Sequence, residues 1–280
     1  MILIIVPLLA ALVAFLVPSE RARPWIVAAA AAAHTLLSAM AIVGHRYDAF
    51  FTPWLRLDAL GRLILAIVSV LFLLCAVYSI GYLRLRAERP NRIFCTILLV
   101  FLATTTAVVL AQHLTIMWVS MEATTLSTAL LLYFNQNRRS LEATWKYLMI
   151  GSVGIALALL GTLFIAYAAL IGLGEPTLLF TDLVARAQSL STPWLRTAFV
   201  FLLVGYGTKM GLAPLHTWKP DAYGEAPGVV GALLAGGLTS CAFLALLRVY
   251  RIVDAAGQGV FARQLLVALA DHEHGPRGHR

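Results

Sequence analysis

The chain has 280 residues, 61% of them apolar and only 12% charged, with a formal net charge of +8. Soluble domains carry about 25% charged residues, so this composition, with a mean hydropathy of +0.86, excludes an ordinary soluble domain and points to membrane residence. The excess positive charge does not signal a nucleic-acid partner, because no basic cluster interleaves with aromatic residues. The expected surroundings are the lipid bilayer.

In chain order, eight apolar runs approach the roughly 20 residues that a spanning helix needs: residues 1–17, 25–43, 57–83, 93–111, 113–134, 143–170, 197–215 and 227–250. The first ends at Pro18 and lacks both a basic leader and a small-x-small cleavage site, so it reads as a span rather than a signal peptide. Lipid offers no partner for backbone N–H and C=O groups, so each run must satisfy its own as a helix; the alternating pattern of a barrel strand is absent. The predicted fold is therefore all-α, a polytopic transmembrane bundle of about eight spans. Three regions are expected: helices one to three in 1–92, helices four to eight in 93–255, and a polar, disordered or aberrant tail in 256–280.

Between the runs, the odd-numbered loops carry Arg21, Arg23, Arg84, Arg86, Arg89, Arg92, Arg138, Arg139 and Lys219. The even-numbered loops carry Arg46, Arg56, Arg186, Arg196, Arg248 and Arg251. The bias places the odd loops in the cytoplasm and the N-terminus outside. Loop six, residues 172–193, reads either as an interfacial stretch, with Leu178, Leu179, Phe180 and Leu183 beside polar residues, or as a plain connector. Cys75, Cys95 and Cys241 stand alone, with no C-x-x-C, and read as small packing residues rather than ligands of a cluster or zinc ion. In the tail, His272, His274 and His279 read as a solvated end, with a metal site as the weaker alternative.

Charges inside a bilayer cost at least about 2.5–3.5 kcal/mol each, so those that occur are functional candidates. Two stand out. Glu122 lies nine residues into the fifth run and Lys209 twelve residues into the seventh, with both runs entering from the same side. At about 1.5 Å per residue this puts them roughly 14 and 18 Å deep, where opposite charges on nearby helices would offset each other's desolvation. Such a couple works either as a proton relay, with the carboxylate governing the ionisation of the amine, or as a static salt bridge. Around Lys209, Gly205, Gly207, Gly211 and Pro214 predict a discontinuous seventh helix of the kind that marks ion sites; a glycine packing face with a proline kink is the alternative. Beyond the break, His216 is either a proton shuttle or part of an ordinary loop with Lys219, Asp221 and Glu225. Lys146 follows Glu142 by four residues, the spacing of an interfacial ion pair. The bare pattern His216-x4-Asp221 is also that of some acyltransferases, and Gly205-x-Gly207 fails as a dinucleotide fingerprint for want of a third glycine and a preceding strand.

Three stretches carry a family resemblance. Residues 117–132, with Trp-Val-Ser-Met-Glu-Ala-Thr-Thr-Leu-Ser, resemble the fifth helix of the antiporter-like subunits of complex I, the Mrp antiporters and the group 4 nickel–iron hydrogenases. Residues 140–147, Ser-Leu-Glu-Ala-Thr-Trp-Lys-Tyr, resemble the start of their sixth helix, and residues 205–227, from Gly-Tyr-Gly-Thr-Lys-Met-Gly to Glu-Ala-Pro, their broken seventh helix and the loop after it. The last stretch is similar to component F of hydrogenase-4 and its formate hydrogenlyase relatives.

The resemblance implies that Glu122 is the glutamate that tunes the lysine, that Lys209 is the lysine of the proton path, and that Lys146 and His216 are relay or structural partners. It implies no cofactor on this chain, a place in the cell inner membrane beside other membrane-arm subunits, and a peripheral hydrogenase or dehydrogenase as driving partner. Such relatives run to about fourteen spans, so the chain is expected to be truncated, frameshifted or half of a split pair, with a tail unlike any part of the family. Its eighth helix also lacks the relatives' Lys or His. The expected function is proton translocation in a redox-driven complex. The alternatives are a non-conducting structural membrane subunit and a component of a cation/proton antiporter.

Overall fold

Residues 1–44, 52–86 and 88–273 of a computed structural model are described, and among them the backbone is helical apart from turns and short connections. The helices are α1 (Ile2–Leu16), α2 (Arg23–Val43), α3 (Ala59–Leu85), α4 (Arg92–Leu110), α5 (Leu114–Leu132), α6 (Arg138–Leu173), α7 (Phe180–Ala185), α8 (Thr192–Met210), α9 (Lys219–Glu225), α10 (Gly228–Ala232), α11 (Thr239–Val253) and α12 (Gly259–Glu273). Wide π turns, Leu233–Leu238 and Asp254–Gln258, join α10 to α11 and α11 to α12. Six helical stretches are long and apolar enough to cross a membrane: Arg23–Val43, Ala59–Leu85, Arg92–Leu110, Leu114–Asn135, Arg138–Leu173 and Gly228–Leu269. The protein is thus an all-helical, multi-pass membrane protein. All eight apolar runs of the sequence lie mainly on helices, the shorter α1 and the charge-bearing α8 completing the set.

Local chemistry sets the helix ends. Asp58 accepts from the backbone N–H of Gly61 to start α3. Asn137 and Ser140 form a reciprocal capping box that starts α6. Gly174 and Gly211 close α6 and α8 in the left-handed conformation, φ 79° and 76°.

In lipid the hydrophobic effect does not drive helices together, so small residues that let backbones approach do much of the packing. Where α6 meets α8, a Cβ on Gly205 would lie 2.6 Å from the Gly154 carbonyl and 2.7 Å from the Ala158 nitrogen, and one on Gly161 3.0 Å from the Ala198 carbonyl. Arg248 closes the bundle on its other flank. Its guanidinium donates to the carbonyls of Val108 (3.2 Å), Val109 (2.8 Å) and Ala111 (2.7 Å) at the end of α4, and to Asp58 (2.8 Å).

Three sequence expectations change. Arg248, counted as a loop charge, is buried within α11, because the helix continues to Val253 past the apolar run. The tail expected to be disordered over 256–280 is helical from Gly259 to Glu273: Phe261, Leu265, Leu266 and Leu269 recur at helical spacing and pack against the core. Loop six is neither purely interfacial nor a plain connector, since Phe180 and Leu183 of α7 are buried in the core. Arg46, His274 and His279 lie outside the described residues, as does the side chain of His272.

The α6–α8 contact predicts that Gly205→Ala, whose methyl would strike backbone, lowers stability by about 1–3 kcal/mol. Gly231→Ala, where a Cβ meets nothing within 4 Å, should leave the melting temperature unchanged or raise it. Thermal melts of the detergent-solubilised chain check both; equal effects would mean that α6 and α8 are not in backbone contact.

Candidate functional site

Lys209 occupies the last turn of α8 and is fully buried. Its side chain crosses to α6, where Nζ lies 4.9 Å from the centroid of the Tyr147 ring. Gly151, one turn further along α6, leaves the space that the ammonium fills: a Cβ there would come within 3.1 Å of Nζ and 3.5 Å of Thr125 Cγ2. An aromatic face attracts a desolvated cation by about 2 kcal/mol, which offsets only part of the cost of removing an ammonium from water. Among the described residues Lys209 Nζ has no hydrogen-bond partner.

Tyr147 is itself held on three sides. Its hydroxyl is hydrogen-bonded to Thr128 of α5, its ring meets that of Trp218 edge-on at 5.1 Å, and its face carries Lys209. Thr124, Thr125, Ser127 and Thr128 are all buried on α5, each donating to a carbonyl of the preceding turn. A hydroxyl-lined seam therefore runs beside the lysine.

Glu122 lies half-buried on α5, with Oε2 buried and unpartnered among the described residues. No ion pair within 4.0 Å joins the carboxylate to the Lys209 ammonium among the described residues. The direct contact of opposite charges expected from depth alone is therefore not formed among the described residues.

The break in the helix falls at Gly211. Gly207 remains helical, and its carbonyl accepts from the N–H groups of both Gly211 (2.7 Å) and Leu212 (2.9 Å). Pro214 stands exposed in the following turn. The carbonyl of Thr208 accepts from the Trp218 indole N–H at 2.9 Å and from the Gly211 N–H at 3.2 Å, so protein donors serve the backbone at the break. The segment after the turn resumes as α9.

Lys146 and His216 are not brought to Lys209. Lys146 Nζ lies 2.7 Å from Glu142 and 2.8 Å from Asp221, an exposed clamp from the start of α6 to α9. His216 is exposed in the turn before α9. Asp221 bonds Lys146, and among the described residues no hydrogen bond joins it to His216, so the acyltransferase pattern has no paired geometry here.

Sequence reasoning missed Tyr147, Gly151, Thr128 and Trp218, which carry no charge to betray them. It also missed a buried polar cluster in the first half of the bundle. His34 of α2 bonds Thr106 of α4 through Nε2 at 3.0 Å, and its Nδ1 faces the hydroxyls of Ser69 (3.4 Å) and Ser38 (3.5 Å). Thr106 gives its own proton to the Leu102 carbonyl, so Nε2 is the donor to it and Nδ1 the acceptor.

The family described as NADH:quinone oxidoreductase/Mrp antiporter, TM, matches residues 111–271, which takes in α5, the broken α8, and nearly all of α12. The chain belongs to this family. The match takes in residues 256–271 of the expected tail and ends there. A hydrogenase-4 component F homolog of Methylacidiphilum infernorum is 42% identical over 161 residues, covering 57% of this chain and 34% of that relative. An NADH-quinone oxidoreductase subunit N of Desulforudis audaxviator is 31% identical over 210 residues, covering 73% of this chain and 40% of that one. The chain thus spans less than half the length of these curated relatives. Among solved structures, a chain of the membrane-bound sulfane sulfur reductase, an archaeal respiratory membrane complex, superposes with a TM-score of 0.82 at 20% identity, over 96% of this chain and 56% of its own. That likeness is one of fold.

The placement of the ammonium predicts a measurable coupling. Tyr147→Phe keeps the ring and should cost about 1 kcal/mol for the lost hydroxyl bond, whereas Tyr147→Leu removes the aromatic face beneath the cation. In a double-mutant cycle with Lys209→Met, thermal melts should show a coupling of about 2 kcal/mol for Tyr147→Leu. A coupling near zero would place the ammonium away from the ring.

Proposed function

We propose that this chain moves protons across the membrane as a subunit of a redox-driven complex of the hydrogenase or NADH:quinone oxidoreductase type, with Lys209 as the group that takes up and releases the proton. The observation that carries this reading is a lysine buried in a membrane bundle with neither a hydrogen bond nor an ion pair among the described residues. A lysine kept for structure would be expected to have a partner, because truncating or isolating a buried charge is costly. The missing direct bridge to Glu122 speaks against the static salt bridge that the sequence left open.

In this reading Glu122 biases the proton occupancy of Lys209 through the low-dielectric interior. Tyr147 and Thr128 line the approach. The exposed Lys146, Asp221 and Glu142 group and the nearby turn with His216 form the face that exchanges protons with water. Residues 93–255 are the translocating unit and 1–92 its supporting helices. The N-terminus lies outside, the membrane is the cell inner membrane, and the partners are other membrane-arm subunits and a peripheral hydrogenase or dehydrogenase, as the names of the relatives suggest.

The test is Lys209→Ala in the assembled complex reconstituted into vesicles, with proton uptake followed by a pH-sensitive dye and assembly by native gel. Proton movement should be lost with assembly intact. Glu122→Gln should slow it several-fold. Unchanged translocation in Lys209→Ala would leave a structural subunit.

A further inference from the structure

A second feature lies away from Lys209 and is independent of the proton reading. Between the turn joining α1 to α2, the last turn of α3 and the connector into α4, a cleft of about 590 Å³ opens at one end of the bundle. Three arginines line it: Arg21 from the turn, Arg84 from α3 and Arg89 from the connector. Among the described residues none of the three makes a side-chain hydrogen bond or an ion pair. Some other arginines are partnered, Arg86 with Glu88, Arg186 with Glu175, Arg248 with Asp58 and Arg263 with Asp254, whereas Arg138 and Arg139, like the three in the cleft, make no side-chain hydrogen bond or ion pair among the described residues. The cleft has one carboxylate, Glu20, and Arg23 already engages it at 3.7 Å. Three guanidinium groups with no hydrogen bond or ion pair among the described residues thus line a cleft whose one carboxylate is already engaged.

The rim is built rather than loose. Asn91 accepts from Arg23 Nη1 at 2.9 Å and donates to the Glu20 carbonyl at 2.8 Å, tying the α1–α2 turn to the start of α4. Below the arginines the lining turns apolar, with Trp25, Ile80 and Leu83. Trp25 is more than half exposed and sits at the start of a spanning helix, the level where tryptophan anchors at the lipid–water boundary. Guanidinium groups match phosphate oxygens in geometry and charge, and basic pockets between spanning helices suit anionic headgroups.

We propose that this cleft binds the phosphate headgroup of an anionic phospholipid, with Arg21, Arg84 and Arg89 on the phosphate and Trp25, Ile80 and Leu83 against the glycerol and the first acyl carbons. The apolar floor sets a lipid apart from free phosphate, which would have no use for it.

The test uses the full chain in detergent, titrated with short-chain phosphatidylglycerol, with phosphatidylcholine of the same chain length, and with inorganic phosphate, with bound species read by native mass spectrometry. Phosphatidylglycerol should be retained well above the other two. R21Q/R84Q/R89Q should lower its affinity roughly ten- to hundredfold, while R138Q/R139Q, which removes two exposed arginines from the start of α6, should not change it. Should the triple variant fail to fold, R84Q alone should weaken retention several-fold, and unchanged retention in it would overturn the proposal. So would equal losses in the R138Q/R139Q control, which would mark unspecific charge attraction, or inorganic phosphate binding as tightly as the lipid.

Discussion

Where α6 and α8 cross, two backbones touch with no side chain between them. Gly205 faces the Gly154 carbonyl and the Ala158 nitrogen so closely that a methyl group on it would fit nowhere. That approach does more than join two helices in a solvent that gives them no hydrophobic reason to associate. It sets the last turn of α8 against Tyr147 and Gly151, so that the Lys209 side chain ends on an aromatic face and in the space of an absent Cβ. Ordinary spacing of helix axes is about 8–10 Å; at the wide end of that range the lysine would have to seek its partners elsewhere. The position of the charge is thus a consequence of three glycines, none of which touches a proton.

The buried polar groups of the bundle differ in how they are satisfied. In the first half, His34, Ser38, Ser69 and Thr106 find one another, and the hydroxyl of Thr106 passes its proton on to a carbonyl. Such a set is at rest, since every member has what it needs. Others are buried without a partner among the described residues: Lys209 Nζ, Glu122 Oε2 and the Tyr206 hydroxyl in the second half, and Asp58 Oδ2, Arg62 Nε and Thr96 Oγ1 in the first. Folded proteins leave few groups in that condition, and each calls for an explanation.

The sequence made the spans legible because lipid leaves helix as the sole way to satisfy a backbone, and Gly211 legible as a break because glycine followed by proline cannot continue one. It was less informative about ends: α8 begins at Thr192, five residues before the apolar run, since Pro193 serves its first turn. It hid α12, whose apolar stripe is interrupted by Arg263 and Gln264 and follows a left-handed Gly257. At the site, Glu122 and Lys209 announce themselves because charge in a span is costly. Their separation does not, because depth along two helices says nothing of how each is rotated about its axis. Tyr147 and Trp218 look like any other aromatic residues until the fold sets one against the other.

Arg248 has a mechanical consequence. One guanidinium on α11 holds the last carbonyls of α4 and the aspartate that starts α3. Sliding α11 along its axis would strip both neighbours at once, so that end of the rod is a fixed pivot. The slack lies upstream, in the wide turn Leu233–Leu238, where the i→i+5 pattern has already loosened the ladder.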